Sequence, residues 1–269
     1  MRAFLLLCTL VTSLSACSEQ PEPREAVVPE TKQDAAFDAW LDDFRRDARA
    51  QGISNATLDD ALVGIGYNSR VIRLDRKQPE GKLTLEQYLK KVINNHRIEK
   101  GRALYKEHAT LLNEVSNKYG VPPQYIVALW GIETNYGSNM GSFSVVESLA
   151  TLAYDGRRSK YFRGELINAL KIIDNGHTDA YNMVGSWAGA MGQSQFMPSS
   201  FLSYAVDYNG DGKRDIWSSK PDVFASIANY LNRHGWSQNK KKNFDVIMKW
   251  NRSTYFATAV MQLADSIAQ

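Results

Sequence analysis

From Phe37 onward, apolar residues recur at three- and four-residue spacing, and that pattern restricts the fold class to mainly α. Phe37, Trp40, Leu41, Phe44 and Ala48 fall at i, i+3, i+4, i+7 and i+11. A second helix is expected from Ser54 or Asn55, both good N-caps, through Leu58 and Leu62. "LTLEQYLKKVI" opens with Thr84 as N-cap and Gln87 at the capping-box position. One long helical segment is expected from Ile98 to Tyr119, stopped by Gly120. "VPPQYIVALWGIETNYG" begins with prolines suited to a first helical turn and runs to Gly137. Further helices are expected near 143–154, 160–175, 222–234 and 254–267. Only "NFDVIMKW", residues 243–250, alternates like a strand, and loops are expected at 137–142, 177–200 and 207–221. No solenoid period is present.

The N-terminus stands outside this pattern. Arg2 followed by "AFLLLCTLVTSL" is too short an apolar run to span a bilayer, which takes ~20 residues, and reads as an export signal. "LSAC" at 14–17 resembles a bacterial lipoprotein box, cut before Cys17 so that Cys17 carries the lipid. Residues 1–16 are then signal, 17–35 lipidated cysteine and Pro-rich tether, and 36–269 the catalytic domain. Ser18, not Asp, follows Cys17, which favours the periplasmic face of the outer membrane in a Gram-negative source. The chain has 2 cysteines, Cys8 and Cys17. The mature domain therefore has no thiol, and a cysteine nucleophile or Cys-ligated zinc is excluded. The formal charge of +3, with "KKK" at 240–242 as the one basic cluster, gives no support to a nucleic-acid partner.

Glu133 is the chemically conspicuous residue. Ile126, Leu129, Trp130 and Glu133 share a helix face at spacings of 3, 4 and 7. Desolvation there, and the negative potential of a helix C-terminus, should both raise its pKa, as a general acid requires. The competing reading is a Glu paired with an Arg or Lys, or simply turned outward. Most glycosidases use two carboxyl groups, and this stretch offers one.

"GIETNYGSNMG", "ESLATLAYDGRRSKYF", "GSWAGAMGQSQFMPSSF" and "DYNGDGKRDIW" follow in that order. With "NRSTYFATAV" they closely resemble the soluble domain of the membrane-bound lytic murein transglycosylase B family, from about residue 36 to the C-terminus. The resemblance implies a lysozyme-like helical domain with a small irregular or β element and an EF-hand-like calcium loop. It also implies cleavage of the β-1,4 bond between N-acetylmuramic acid (MurNAc) and N-acetylglucosamine (GlcNAc) in peptidoglycan strands. The muramic acid's own 6-hydroxyl attacks, leaving 1,6-anhydro ends. Glu133 is then the single acid and later base. A partner such as Glu147 or Asp155 is not required.

By the same resemblance Ser186 and Gln195 line the sugar site, and Arg157 and Arg158 meet lactyl-peptide carboxylates. Tyr88, Asn251 and Tyr255 border the cleft. On its own terms, residues 185–201 offer small residues that let backbone approach a bulky ligand, or else a helix-packing contact. Gln193, Ser194 and Gln195 supply polar groups, and Met191, Phe196 and Met197 an apolar wall.

Asp207, Asn209, Asp211 and Gly212 match the start of an EF-hand loop, with the Lys213 carbonyl as a further ligand. Ser218 stands where a bidentate Glu belongs. The family pattern implies closure by Asp222, with Asp215 as rival; an Asx-rich turn without metal is the alternative. A structural Ca²⁺ and no organic cofactor are expected. The expected partners are glycan strands, the membrane through Cys17, and cell-wall enzyme complexes. Other functional readings are a muramidase transferring to water and a non-catalytic peptidoglycan-binding lipoprotein.

Overall fold

A computed structural model describes residues 31–32, 34–77 and 83–269. Cys17, the signal and most of the tether lie outside the described residues. The architecture is helical, with two short antiparallel ribbons.

The N-terminal helices are α1 (Ala35–Ala50), α2 (Asn55–Leu62) and α3 (Ser69–Arg76). Phe37 and Trp40 on α1 stack, and both meet the ring of Tyr154 edge-on. Tyr154 ends α8 (Val145–Tyr154), so the N-terminal unit is pinned to the centre by aromatics. Ser54 is the N-cap of α2, its hydroxyl accepting the Thr57 N–H. The expected capping box is also present: Thr84 and Gln87 bond reciprocally at the start of α4 (Leu85–Val92).

The predicted helix over 98–119 is two helices, α5 (Asn95–Glu107) and α6 (Ala109–Tyr119). His108 breaks the run, sitting at φ −101°, ψ 18° as C-cap of one and N-cap of the next. Periodicity alone does not register such a break, because both halves keep the same spacing. Gly120 ends α6 in the left-handed region, as expected.

Helix α7 (Pro123–Thr134) is the centre of the molecule. Every residue from Tyr125 to Gly131 is buried, so it has no single apolar face. It packs against α5, α6, α11 (Lys220–Arg233) and α13 (Thr254–Ile267). It stops at Thr134, short of Gly137. Asn135 and Tyr136 both take positive φ, 50° and 62°. Tyr136 explains the stop: its ring fills a slot over Gly131 and Gly101, and its hydroxyl donates to the Arg97 carbonyl at 2.7 Å.

Helices α8 and α9 (Ser159–Asp174) form the other main packed pair. Within the expected 177–200 loop, Pro198 opens a short helix, α10 (Pro198–Tyr204). The segment expected as a strand, 243–250, belongs to α12 (Lys240–Trp250), N-capped by the Asn239 side chain. Its alternation is short and serves a helix equally well. Asn243, Val246 and Ile247 are buried on one face, at i, i+3 and i+4.

Ribbon β1 (Thr31–Lys32) pairs with β2 (Tyr67–Asn68), and β3 (Phe143–Ser144) with β4 (Val184–Gly185). Single bridges extend the second ribbon, Gly185 to Met191 and Met191 to Phe196. These ribbons are the small β element that the family resemblance implies, placed elsewhere than the 243–250 segment read as a strand.

Candidate active site

Glu133 projects from the last turn of α7 and is half-buried. Its Oε1 accepts a hydrogen bond from Trp250 Nε1 at 2.7 Å. Burial pushes its carboxyl up from the usual 4.5 to about 7, and the Trp250 bond opposes that rise. Among the described residues no cation pairs with it. Among the described residues the paired-Glu alternative is therefore not built.

Trp250 was not legible as a site residue, because it closes the segment that alternated like a strand. Its ring packs on Tyr230 at 4.6 Å and Phe196 at 5.2 Å, which fixes the indole before substrate arrives. Asn251 follows directly as the exposed C-cap of α12. On α4 and α13, Tyr88 and Tyr255 bring their rings to 5.9 Å. Burial first, then the negative potential of Glu133, raises the Tyr88 hydroxyl. The two tyrosines thus stand together beside the acid.

Gln195 takes the left-handed conformation, φ 49°, and its side-chain amide donates to the carbonyls of Met140 and Gly192 at 3.0 Å. With Phe196, Trp250, Tyr161 and Glu165 it lines a hollow of about 240 Å³. Tyr161 and Glu165 also wall a second hollow, about 740 Å³, that contains Arg157 and Arg158. Both arginines reach buried Asp75 on α3, Arg157 Nε at 3.3 Å and Arg158 at 2.6 Å. Their guanidinium groups are thus anchored from behind and remain partly exposed in front.

Ser186 accepts the Ala190 N–H on its hydroxyl at 3.0 Å, within the turn that follows β4. The small residues here serve the protein's own packing. A Cβ on Gly185 would meet the Ala190 carbonyl oxygen at 2.1 Å, and one on Gly141 the Gly185 oxygen at 2.0 Å. At these two glycines the missing side chain serves internal packing, the alternative to close approach of the protein backbone to a ligand.

Gln193 is a bolt between elements. Its Oε1 accepts from Trp130 Nε1 at 2.8 Å and Lys220 Nζ at 3.0 Å, and its Nε2 donates to the Trp217 carbonyl. Ser194 beside it is fully buried with no partner for its hydroxyl among the described residues. Neither Glu147 nor Asp155 lines the Gln195 hollow: Glu147 accepts from the neutral Asn68 Nδ2 at 3.0 Å, and Asp155 pairs with Arg76 at 2.8 Å. Glu165, the acid that does line the Gln195 hollow, accepts both the N–H and hydroxyl of Ser199 on α10.

In the acidic loop, Asp207 accepts the N–H groups of Gly210, Asp211 and Gly212. Asn209 donates to Asp211, which accepts the Lys213 N–H. Asp222 is fully buried and accepts from Tyr208, Asn209 and Asp215 backbone N–H groups. Asp215 instead caps the next turn, through Trp217 and Ser218. Among the described residues no three acidic, His or Cys side chains converge as a metal site. The oxygen-only donor set nonetheless suits a hard cation. Asp222, not Asp215, is the carboxylate that ties the loop's two ends.

A carboxylic acid raised toward neutrality, bonded to Trp250 at the edge of the Gln195 hollow in a mainly helical frame, fits a glycan-cleaving enzyme of lysozyme-like fold. The sequence profile described as "Transglycosylase SLT domain" matches residues 36–242 and 240–265, and the chain belongs to that family of lytic murein transglycosylases. It is 33% identical over 265 residues to membrane-bound lytic murein transglycosylase B of Escherichia coli K12, covering 87% of this chain and 73% of the relative. Among solved structures, SltB3 of Pseudomonas aeruginosa with NAG-anhNAM-pentapeptide superposes with a TM-score of 0.83 at 36% identity, covering 86% of this chain and 79% of that one. The calcium complex of Escherichia coli Slt35 gives 0.78 at 29%, covering 93% and 98%.

Proposed function

We propose that Glu133 carries the cleavage, protonating the glycosidic oxygen between MurNAc and GlcNAc. It then takes the proton from the muramic 6-hydroxyl as that oxygen closes the 1,6-anhydro ring on C1. The observation that carries this is a single half-buried carboxyl near neutrality, held by a neutral indole donor. Such a group can act in both protonation states near physiological pH. No second carboxylate is needed, because the nucleophile belongs to the substrate. The SltB3 complexes with NAG-NAM- and NAG-anhNAM-pentapeptide support this substrate and product for a relative.

In this reading Gln195, Ser186, Tyr88, Tyr255 and Asn251 line the glycan cleft, and Arg157 and Arg158 receive peptide carboxylates. Asp207, Asn209, Asp211, the Lys213 carbonyl and Asp222 would hold a structural Ca²⁺, which the Slt35 calcium complex supports by analogy. Bound there, the ion would brace the connection from α10 to α11. Cys17 anchors the chain by lipid in the periplasm, on the outer membrane; the membrane-bound relative supports an anchored enzyme. Other wall enzymes are the partners such a placement would offer. Mass spectrometry of digested sacculi tests the chemistry: 1,6-anhydro ends are expected, and products with only reducing ends would overturn it.

A further inference from the structure

A further cavity lies apart from the Gln195 hollow and shares no lining residue with it. It encloses about 760 Å³ between α2, β2, β3, β4 and the turn before β4. Its floor is apolar, formed by Ala61, Ile65, Phe143 and Val184. Its rim is charged with both signs. Arg70 lies over the Phe143 ring at 5.0 Å and has no acidic partner among the described residues. Opposite in charge, Glu147 has the neutral Asn68 amide as its one side-chain partner among the described residues, and Asp60 accepts the Ala180 N–H. Tyr181 is 90% exposed at the edge, a ring with nothing covering it.

The cavity and the glycan cleft are joined by one backbone ladder. Phe143 pairs with Gly185, Gly185 with Met191, and Met191 with Phe196, which lines the Gln195 hollow. Three inter-strand steps of ~4.8 Å make the separation roughly 14 Å. A five-residue peptide branch, extended at ~3.3 Å per residue, reaches about 17 Å. The loop from Met140, whose carbonyl holds Gln195, to Ser142, on the cavity wall, closes the same distance on a second side.

We propose that this cavity is a docking site for a peptide branch of the glycan strand, one bearing a carboxylate for Arg70 and an amine for Glu147. A bare N-acetylated glycan carries no amine for Glu147, and an apolar ligand would leave both charges unanswered. The inference rests on the glycan-cleaving reading, and its consequence is preference for peptide-bearing strands.

The experiment compares peptide-bearing sacculi with strands stripped of peptides by an amidase, using the full chain with Tyr181→Ala and, separately, Arg70→Gln. Tyr181 is exposed enough that its truncation leaves the fold intact. Each variant should lose about fivefold to tenfold in kcat/KM on peptide-bearing strands and nothing on stripped ones, the range expected for one charged or aromatic contact. Titration of the free pentapeptide branch should perturb Tyr181 in the wild type and weaken in Arg70→Gln. Equal losses on both substrates would make the cavity a glycan surface and overturn the proposal, as would no loss on either. Stripped strands report cleavage alone and the substrate ratio reports the cavity alone, so failure of one reading is distinct from failure of the other.

Discussion

At the scale of single residues, Glu133 joins a proposed catalytic role to a stability penalty in one group. Its carboxyl is raised from 4.5 to about 7 by burial. The raised value means that its stability contribution is fully present below pH 4.5 and is lost as pH rises through 7, about 3 kcal/mol in all. Glu133→Gln should therefore lower cleavage by at least ~10²-fold yet melt higher than wild type at pH 8, with the gap closing near pH 4. Thermal unfolding across that range checks it. Cleavage by wild type should fall as pH rises through about 7, because the acid loses its proton. Trp250→Phe removes the influence that opposes the rise, so the descending limb of its pH–rate profile should move to higher pH. The acid was legible because a Glu among Ile126, Leu129 and Trp130 is conspicuous. Trp250 was not, since the two lie 117 positions apart and only packing joins them.

At the scale of elements, local signals held where the chemistry is local. The Thr84–Gln87 box and Gly120 mark their helix ends within a few residues of sequence. The 177–200 region is irregular as expected up to Pro198, but its internal geometry was not legible because it is set from a distance: Gln193 is fixed by Trp130 and Lys220, Ser199 by Glu165. Gln193→Ala would strip partners from Trp130 and Lys220 at once, and should cost about 2–4 kcal/mol in urea denaturation. The acidic loop makes a separate prediction. Affinity of about 10⁻⁴–10⁻³ M is expected where the bidentate Glu is missing. Millimolar Ca²⁺ should then raise the melting temperature of a chelator-treated sample, and Asp207→Ala should abolish that response. A wild-type melting point indifferent to both treatments would leave the loop an Asx-rich turn.

At the scale of the whole molecule, helical patterning and motif order were enough to give the class and the family. The cavity under Tyr181 was invisible, since α2, β2 and β4 meet there from three distant parts of the sequence. The proposed tether also makes a whole-chain prediction. A chain beginning at residue 31 keeps the β1–β2 pairing. It should match the full protein on soluble strands while partitioning away from membranes on fractionation. Helix α7 carries a last consequence. The acid hangs from the helix against which α5, α6, α11 and α13 all pack. Deforming the site at that helix should therefore require loosening the frame itself. Heat inactivation should track unfolding degree for degree, without the early decline seen where a catalytic group rides on a lid.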